Sequence, residues 1–311
     1  MERRGIDQNA DQCIPSNTNP VPHLGGEHVS LPPEGLTLER LEELMASRND
    51  GRFVPFPQDF YTQCQDLVRK YIRFTEIGIE QDILKALTAF PPALKAKGNT
   101  PSSETTLRRQ AEYEISFAEA AKSLARQLLE RADSQAPSVM IPIWRAGLVF
   151  LSVEGVDKLA VFHIGATRDP SSLQTSFYYT SNAQLTAEQR LLICDPMVGT
   201  GNTIISAIDL LQERIQGFQN EQVVVIAMFS TPEGSARLLR RYPGIALLTA
   251  SMDTHLDENA WIIHNDPSLF LGDFGDLLRA RVVTPSQASE MYKKGAISLE
   301  GLRALMSRLS A

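Results

Sequence analysis

The stretch LLICDPMVGTGNTIISAIDLL, residues 191–211, decides the fold. An apolar run ends at Asp195, a loop of Gly, Thr and Asn follows, and a helical pattern begins near Thr203. The loop therefore joins the end of a strand to the start of a helix. Unpaired amides at a helix N-terminus attract anions, phosphate above all, and Gly199 and Gly201 let a ligand come close to the backbone. The stretch predicts a phosphate site at the carboxyl end of a strand.

The loop differs from two common nucleotide-binding motifs. No GxxxxGK[ST] sequence occurs, and after Gly199 and Gly201 the third glycine of GxGxxG is missing. A carboxylate at Asp195 would repel phosphate, but it suits a sugar whose hydroxyls need an acceptor. The loop thus favours a ribose and a phosphate bound side by side. The alternative is an ordinary strand-to-helix turn that uses Gly and Thr for its geometry.

Strands and helices alternate on both sides of this loop. Apolar runs predict strands, and helical periodicity predicts two helices, 203–216 and 233–242. This alternation is typical of an α/β fold with a mostly parallel sheet flanked by helices. Ligands bind at the carboxyl ends of the strands in such sheets, where the loop lies. The predicted strands are 138–144, 158–165, 176–181, 190–194, 222–230 and 245–251.

Helical patterns also precede the sheet. They cover 37–48, 57–74 and 111–132, with a Pro- and Lys-rich loop predicted over 90–104. The first residues are rich in Pro, Gly, Asn and Gln without any period, which is typical of a disordered tail. We predict three segments: a disordered or partly helical extension, the main α/β domain and a C-terminal helical extension. Their bounds are 1–50, 51–280 and 281–311.

Composition narrows the class of protein. The chain has 311 residues, 43% of them hydrophobic, and a net charge of −7. The acidic balance argues against nonspecific nucleic-acid binding and leaves an anionic ligand to local arginines and amides. No apolar stretch is long enough to span a membrane, and the first residues lack the apolar core of a signal peptide. Three widely spaced cysteines form no metal motif. We expect reduced thiols, a cytoplasmic location, and no nucleic-acid or membrane partner.

Five motifs in one order resemble the uracil phosphoribosyltransferase family. DPMVGTGNT at 195–203 is similar to the family's DPMLATGGS, and IPIWRAGL at 141–148 to its PILRAGL. HIGATRDPSSLQTSFYY at 163–179, MDTHLDENAWII at 252–263 and GDFGD at 272–276 resemble IGLYRDEET…YY, LDxxLDENxYIV and GDFGDR. The resemblance implies the phosphoribosyltransferase fold, with a helical N-terminal part and a small hood over the base.

The family's reaction follows from this resemblance. It joins uracil to 5-phosphoribosyl 1-pyrophosphate, giving UMP and pyrophosphate in pyrimidine salvage. Mg²⁺ is carried by the pyrophosphate, so no direct metal ligand from the protein is expected. The resemblance also implies a homo-oligomer, for which two-fold dimers are the commonest arrangement, and GTP is a candidate effector.

The resemblance assigns roles to individual residues. Asp195 would bind the ribose hydroxyls and stabilise the cationic sugar, and Arg145 and Arg168 would contact pyrophosphate, so these three are the catalytic candidates. The amides and side chains of the loop would hold the 5′-phosphate, and backbone groups would bind uracil. The full phosphoribosyl pyrophosphate site comprises Arg145, Arg168, Asp195, Pro196, Met197, Val198, Gly199, Thr200, Gly201, Asn202, Thr203 and Asp273. The predicted uracil contacts are Ile262, Gly272, Asp273 and Phe274.

The sequence departs from the family pattern mainly in the segment that binds the base. Residues 264–271 replace a tight Pro-Gly turn with a longer stretch, and Leu277 replaces a basic residue. Trp144 stands where an aliphatic residue is usual, and Asn202 where Gly is common. Two alternatives to uracil transfer therefore remain: a phosphoribosyltransferase for another base, and a non-catalytic or regulatory homologue that binds nucleotide or phosphoribosyl pyrophosphate.

Overall fold

The structure is a computed structural model, and it describes ten stretches of the chain. They are residues 63–64, 68, 73–88, 104–132, 138–144, 146–169, 174–252, 255–256, 262–263 and 284–309. The predicted extension over 1–50 lies outside them, as does nearly all of the predicted loop at 90–104. The boundaries of the three predicted segments therefore stay a prediction.

The strands of the described residues lie between positions 73 and 263. They are β1 (Arg73–Glu76), β2 (Ser138–Trp144), β3 (Ala160–Val161), β4 (Ile164–Arg168), β5 (Thr175–Thr180), β6 (Arg190–Cys194), β7 (Met197–Val198), β8 (Val223–Ser230), β9 (Ala246–Met252), β10 (His255–Leu256) and β11 (Ile262–Ile263).

The α-helices of the described residues flank and follow these strands. They are α1 (Gln81–Thr88), α2 (Glu104–Ala132), α3 (Asn202–Arg214), α4 (Pro232–Arg241), α5 (Pro285–Lys293) and α6 (Leu299–Leu309). Short 3₁₀ helices cover Ala146–Ser152, Val156–Lys158 and Asn220–Gln222.

The main sheet of the described residues has the strand order β1-β9-β8-β6-β2-β4-β5. β3 pairs with β2, and β7 pairs with β8. The pairings are parallel, except that β4 and β5 form an antiparallel hairpin. β10 and β11 make a separate antiparallel ribbon. This arrangement confirms the prediction of a mostly parallel sheet flanked by helices.

Both faces of the sheet are buried, so its central strands are apolar throughout. On β2, Met140 and Trp144 belong to the core beneath α2, α5 and α6, whereas Ile141 and Ile143 belong to the core beneath α3 and α4. The period of two follows from the alternation of side chains along a strand. All eight residues of β8 are buried, as expected for a strand covered on both faces.

Two sequence-based predictions need correction. The strand predicted over 158–165 is interrupted at Phe162 and His163, and β2 pairs with β3 before this break and with β4 after it. The break lies beside Pro142, which has no N–H to donate. The helix predicted over 57–74 is wrong at its end, because Arg73 begins β1, which pairs in parallel with β9. The favourable register with β9 is a long-range contact that local periodicity does not reveal.

The C-terminal helices pack tightly against Tyr179 on β5. The Ser298 N–H donates to the Tyr179 hydroxyl at 3.3 Å, and a Cβ at Gly301 would lie 2.6–2.8 Å from atoms of the Tyr179 ring. Ala288, Ile297 and Leu305 add apolar contacts to the same core as Trp144. The helices are therefore part of the same packed body as the sheet.

A Gly301→Ala substitution should destabilise the protein, although alanine is the better helix former. The added methyl group meets the Tyr179 ring, and overpacking of this kind costs about 1–3 kcal/mol. Urea denaturation measures the free energy of unfolding. Ser307→Ala is the matched control, because Ser307 is exposed on the same helix and gains only helix propensity. A Gly301→Ala protein as stable as the control would refute the close contact.

Candidate functional site

Asp195 lies directly after β6, at the edge where the carboxyl ends of the parallel strands meet. Its side chain is half-buried, and Oδ1 accepts a hydrogen bond from the Met197 N–H at 3.3 Å. The Asp195 N–H donates to the Ile226 carbonyl on β8 at 3.1 Å. These bonds hold the backbone and the carboxylate on the body of the sheet, so the side chain has a fixed position beside the loop that follows it.

Backbone hydrogen bonds from β8, and from Thr231 directly after it, hold the loop that follows Asp195. The Pro196 carbonyl accepts from the N–H groups of Met228 and Phe229, at 3.0 and 2.9 Å. The Val198 carbonyl accepts from the Thr231 N–H at 3.0 Å. Thr200 and Gly201 are buried, while Gly199, Asn202 and Thr203 are half-buried. The structure thus brings the predicted residues 195–203 together as one turn, hydrogen-bonded to β8 and to Thr231.

The N-terminus of α3 differs from those of α4 and α5. Gly201 is its N-cap, with φ 78°, and provides no side-chain capping bond. In contrast, the side chain of Thr231 caps α4 and that of Thr284 caps α5. At the start of α3 the Asn202 N–H donates to the Thr200 hydroxyl at 3.4 Å. A helix start whose N-cap has no side chain leaves its further amides to other partners, and positive charge from the helix dipole concentrates there. This geometry suits the predicted phosphate site.

Arg145 lies outside the described residues, but both of its neighbours in the chain are described. Trp144 ends β2, and Ala146 begins a 3₁₀ helix. A Cβ at Gly147 would lie 2.4 Å from the Cys194 carbonyl oxygen, directly before Asp195. The segments that carry Arg145 and Asp195 therefore meet at the same edge of the sheet.

Arg168 lies on the hairpin of β4 and β5, beyond the end of β2. Trp144, the last residue of β2, pairs with Gly165, and Arg168 is three residues further along β4. At the usual rise of a strand, this places it roughly 10 Å beyond the end of β2. Arg168 is exposed and lies toward the edge of the sheet at which β2 and β6 end.

The ribbon of β10 and β11 lies beside the loop. Leu256 pairs with Ile262, and both side chains are buried. A Cβ at Gly199 would lie 3.2 Å from a methyl group of Leu256. Ile262, a predicted uracil contact, therefore pairs with the residue of the ribbon that lies against the loop. Gly272, Asp273 and Phe274, and the divergent stretch 264–271, lie outside the described residues.

A buried aromatic cluster lies beneath the end of β2. The Trp144 indole N–H donates to His163 Nδ1 at 3.0 Å, and Trp144 stacks on Tyr179 with ring centroids 4.6 Å apart. The His163 N–H donates to the Ser181 hydroxyl at 2.9 Å. Burial lowers the pKa of His163 to about 4. His163 is therefore a neutral core residue at pH 7, whose Nδ1 accepts and whose Nε2 carries the proton.

The pKa of His163 makes stability depend on pH. Between pH 6.5 and 4 the unfolded chain binds a proton at this residue and the folded chain does not. The free energy of unfolding should therefore fall by about 3 kcal/mol as the pH is lowered through this window. His163→Asn keeps an acceptor for Trp144 but does not titrate, so its loss of stability over the same window should be smaller. Urea denaturation at several pH values measures both, and equal losses would contradict the assignment.

Cys194 is the last residue of β6 and is fully buried. Burial, reinforced by the neighbouring charge of Asp195, raises the pKa of its thiol well above the usual value. A thiol that stays protonated is a poor nucleophile. Cys194 is therefore a small core residue next to the site, in agreement with its place at the end of an apolar run.

The described residues contain neither a metal-binding cluster nor a membrane-spanning helix. In that part of the chain no group of three or more His, Cys, Asp or Glu side chains is arranged to hold a metal ion. Nor does any helix in the described ranges combine the length and the apolar character needed to cross a membrane.

The sequence did not predict a group of residues at α4 that contact the loop. Thr231, Gly234 and Arg237, at the N-cap, the first turn and the middle of α4, contact the loop through its carbonyl oxygens. Thr231 followed by Pro232 is a common start of a helix, so the local signal for α4 was present. The signal does not reveal which backbone groups the helix faces, because the contacts join residues more than thirty positions apart.

The parallel sheet, its flanking helices and the glycine-bearing loop at its carboxyl edge define the phosphoribosyltransferase fold class. Within this class, a profile of the family described as "Uracil phosphoribosyltransferase" matches residues 118–278, just over half of the chain. The chain belongs to the uracil phosphoribosyltransferase family.

Two relatives named as uracil phosphoribosyltransferases agree with this assignment. A uracil phosphoribosyltransferase of Ralstonia pickettii is 34% identical over 141 residues, which are 45% of this chain and 61% of that protein. Its counterpart in Synechococcus elongatus is 35% identical over 158 residues, 50% of this chain and 70% of that protein. Among solved structures, the AQ2163 protein of Aquifex aeolicus matches with a TM-score of 0.49 at 21% identity, covering 68% of this chain and all of that one.

Proposed function

We propose that this chain transfers the phosphoribosyl group of 5-phosphoribosyl 1-pyrophosphate to uracil, giving UMP and pyrophosphate. One observation carries the proposal: a single hydrogen-bonded turn joins the carboxylate of Asp195 at the end of β6 to the N-terminus of α3, whose N-cap Gly201 makes no side-chain capping bond. A carboxylate and a set of amides on one turn suit the two ends of a ribose 5-phosphate. Because the chain belongs to the uracil phosphoribosyltransferase family, this is the reaction we propose for such a site.

The proposed reaction exchanges one bond at C1 of the ribose. A ring nitrogen of uracil forms a bond to C1 while the bond from C1 to the pyrophosphate oxygen breaks. Pyrophosphate leaves with the electron pair, and the proton of the uracil nitrogen passes to solvent. Positive charge develops on the sugar ring, so a fixed negative group stabilises the transition state electrostatically. Asp195 has the position and the charge for this role.

The leaving group is a polyanion, and the overall charge of the chain is −7. Local cations must therefore hold it. Arg168 is exposed at the end of β4, and Arg145 follows directly after Trp144 at the end of β2. Guanidinium groups bind phosphate oxygens in a bidentate manner, which supports both residues as pyrophosphate contacts. Asp273 is proposed as a further neighbour of the pyrophosphate.

Mg²⁺ enters the proposal with the pyrophosphate. Carboxylate and phosphate oxygens are its preferred ligands, and the Asp195 carboxylate at the site is a donor of this kind. Bound Mg²⁺ would neutralise part of the charge that develops on the leaving group. Of the residues of this chain, Asp273 is proposed to lie near the pyrophosphate that carries the Mg²⁺.

The backbone of the β10–β11 ribbon and of residues 272–274 is proposed to bind uracil. Uracil presents alternating acceptors and a donor, and buried peptide groups discriminate strongly when a wrong base leaves them unpaired. Ile262 pairs with Leu256, and Leu256 lies against Gly199 of the loop, which supports this placement. We further propose a cytoplasmic homo-oligomer, with GTP as a candidate effector.

Steady-state assays of the purified chain test the proposal. The protein is incubated with phosphoribosyl pyrophosphate, Mg²⁺ and uracil, and UMP and pyrophosphate are quantified, with and without GTP. Equal amounts of the two products are expected. Clear calorimetric binding of phosphoribosyl pyrophosphate without any product would instead favour the non-catalytic homologue.

A further inference from the structure

The N-cap and the middle of α4 each contact a peptide group of the phosphate loop, and the two peptide groups are consecutive. The Thr231 hydroxyl donates to the Gly199 carbonyl at 2.7 Å, and Arg237 Nη1 donates to the Thr200 carbonyl at 3.3 Å. The same guanidinium nitrogen donates to Asn202 Oδ1. Both carbonyls therefore face α4, and a side chain fixes each of them.

The direction of these carbonyls sets the direction of the neighbouring amides. In a trans peptide the C=O and N–H groups point in opposite directions, and no cis peptide occurs in the described residues. The peptide group that contains the Gly199 carbonyl also contains the Thr200 N–H. Likewise, the peptide group of the Thr200 carbonyl contains the Gly201 N–H. Both N–H groups thus point away from α4.

The contacts also change the strength of the donors. A hydrogen bond to a cation is stronger than one between neutral groups, and linked hydrogen bonds polarise one another. Arg237 draws electron density toward the Thr200 carbonyl, which makes the Gly201 N–H a better donor to an anion. In the same way, the hydrogen bond from the Thr231 hydroxyl to the Gly199 carbonyl makes the Thr200 N–H a better donor.

Close approach of α4 depends on two glycines. A Cβ at Gly234 would lie 1.8 Å from the Gly199 carbonyl oxygen, and a Cβ at Gly201 would lie 3.1 Å from the Gly234 carbonyl oxygen. Thr231 is itself fully buried and accepts from the Gly234 N–H at 3.2 Å. At Gly234 the backbone of α4 therefore packs directly against the backbone of the loop.

We propose that α4 aims the phosphate-binding amides of the loop, with Arg237 and Thr231 as positioning residues for the phosphoribosyl group. The inference deepens the proposed function and rests on it for the identity of the ligand. It assigns Arg237 no contact with the substrate: its charge acts through the Thr200 carbonyl and Asn202. The ligand affected is the 5-phosphate of the sugar, and the base is not.

Charge-conserving and charge-removing variants of Arg237 test this role. Arg237→Met should raise the KM for phosphoribosyl pyrophosphate about tenfold, the usual effect of losing a charged hydrogen bond, and leave the KM for uracil unchanged. Arg237→Lys should restore part of the affinity, because a lysine keeps the charge but not the geometry. Arg240→Met is the matched control, since it removes the same charge from the same helix three residues further along. Melting temperatures establish that the variants are folded.

A second variant pair separates orientation from charge. Thr231→Val removes the hydroxyl that binds the Gly199 carbonyl and should also raise the KM for phosphoribosyl pyrophosphate, whereas Thr231→Ser keeps the hydroxyl and should resemble the unmodified protein. Equal KM values for Arg237→Met, Arg240→Met and the unmodified chain would overturn the inference.

Failure of the proposed function gives a different result. If the unmodified chain forms no UMP, the same variants are compared by calorimetric titration with phosphoribosyl pyrophosphate and Mg²⁺. Weaker binding by Arg237→Met than by Arg240→Met then supports the positioning role without the reaction. Equal binding, or no binding by the unmodified chain, overturns it.

Discussion

An Asp195→Asn protein should lose about a hundredfold to a thousandfold in kcat for UMP formation, the usual effect of removing one electrostatic stabiliser of a transition state. The amide keeps an oxygen that can accept from the Met197 N–H, the bond that Asp195 Oδ1 makes now. The geometry of the turn should therefore survive, while the negative charge beside the cationic sugar is lost. Steady-state kinetics with both substrates varied measure the effect.

Asp209→Asn is the matched control for this substitution. Asp209 lies on α3, the helix that follows the loop, and its carboxylate contacts Arg241 and the Tyr242 hydroxyl. The same chemical change there should leave kcat nearly unchanged. An Asp195→Asn protein with the turnover of the control would remove Asp195 from the reaction.

A Gly234→Ala substitution should be among the most damaging single changes in the described part of the chain. The new Cβ would lie 1.8 Å from the Gly199 carbonyl oxygen and 2.8 Å from its carbon. Both atoms are backbone, so relief requires α4 or the loop to move. We expect a loss of about 3 kcal/mol in the free energy of unfolding, together with much weaker binding of phosphoribosyl pyrophosphate. Urea denaturation and calorimetric titration measure the two effects.

Ser235→Ala provides the comparison for Gly234→Ala. Ser235 is the next residue of the same helix turn, fully buried, and its hydroxyl has no hydrogen-bond partner. Removing a buried hydroxyl of this kind should be neutral or slightly stabilising. If Gly234→Ala were as stable and bound as tightly as Ser235→Ala, the close contact between α4 and the loop would be wrong.

The sequence was most informative where local pattern and structure coincide. The apolar run ending at Asp195, followed by glycines and a helical period, predicted β6, the loop and α3 because all three depend on neighbouring residues. The mostly parallel sheet followed from the alternation of strands and helices. Resemblance to the family added the roles of Arg145 and Arg168, which no local physical rule could supply and which remain predictions.

Contacts distant in sequence were beyond such reasoning. Strand β1 is short and gains its register only from β9, so a helical pattern running through Arg73 gave the wrong assignment. Likewise, Arg237 follows an ordinary amphipathic pattern in α4, and only the fold brings it to Thr200 and Asn202. The aromatic cluster of Trp144, His163 and Tyr179 could not be inferred either, because it combines β2, β5 and the break between β3 and β4.

The most direct test of the central claim is a competition assay that identifies the nucleotide formed. The unmodified chain is supplied with phosphoribosyl pyrophosphate, Mg²⁺ and an equimolar mixture of uracil, cytosine, orotate and purine bases, and the products are resolved by mass spectrometry. The proposed function predicts UMP as the dominant nucleotide, matched by pyrophosphate and strongly reduced in Asp195→Asn. A dominant nucleotide of any other base, or none at all, would contradict it.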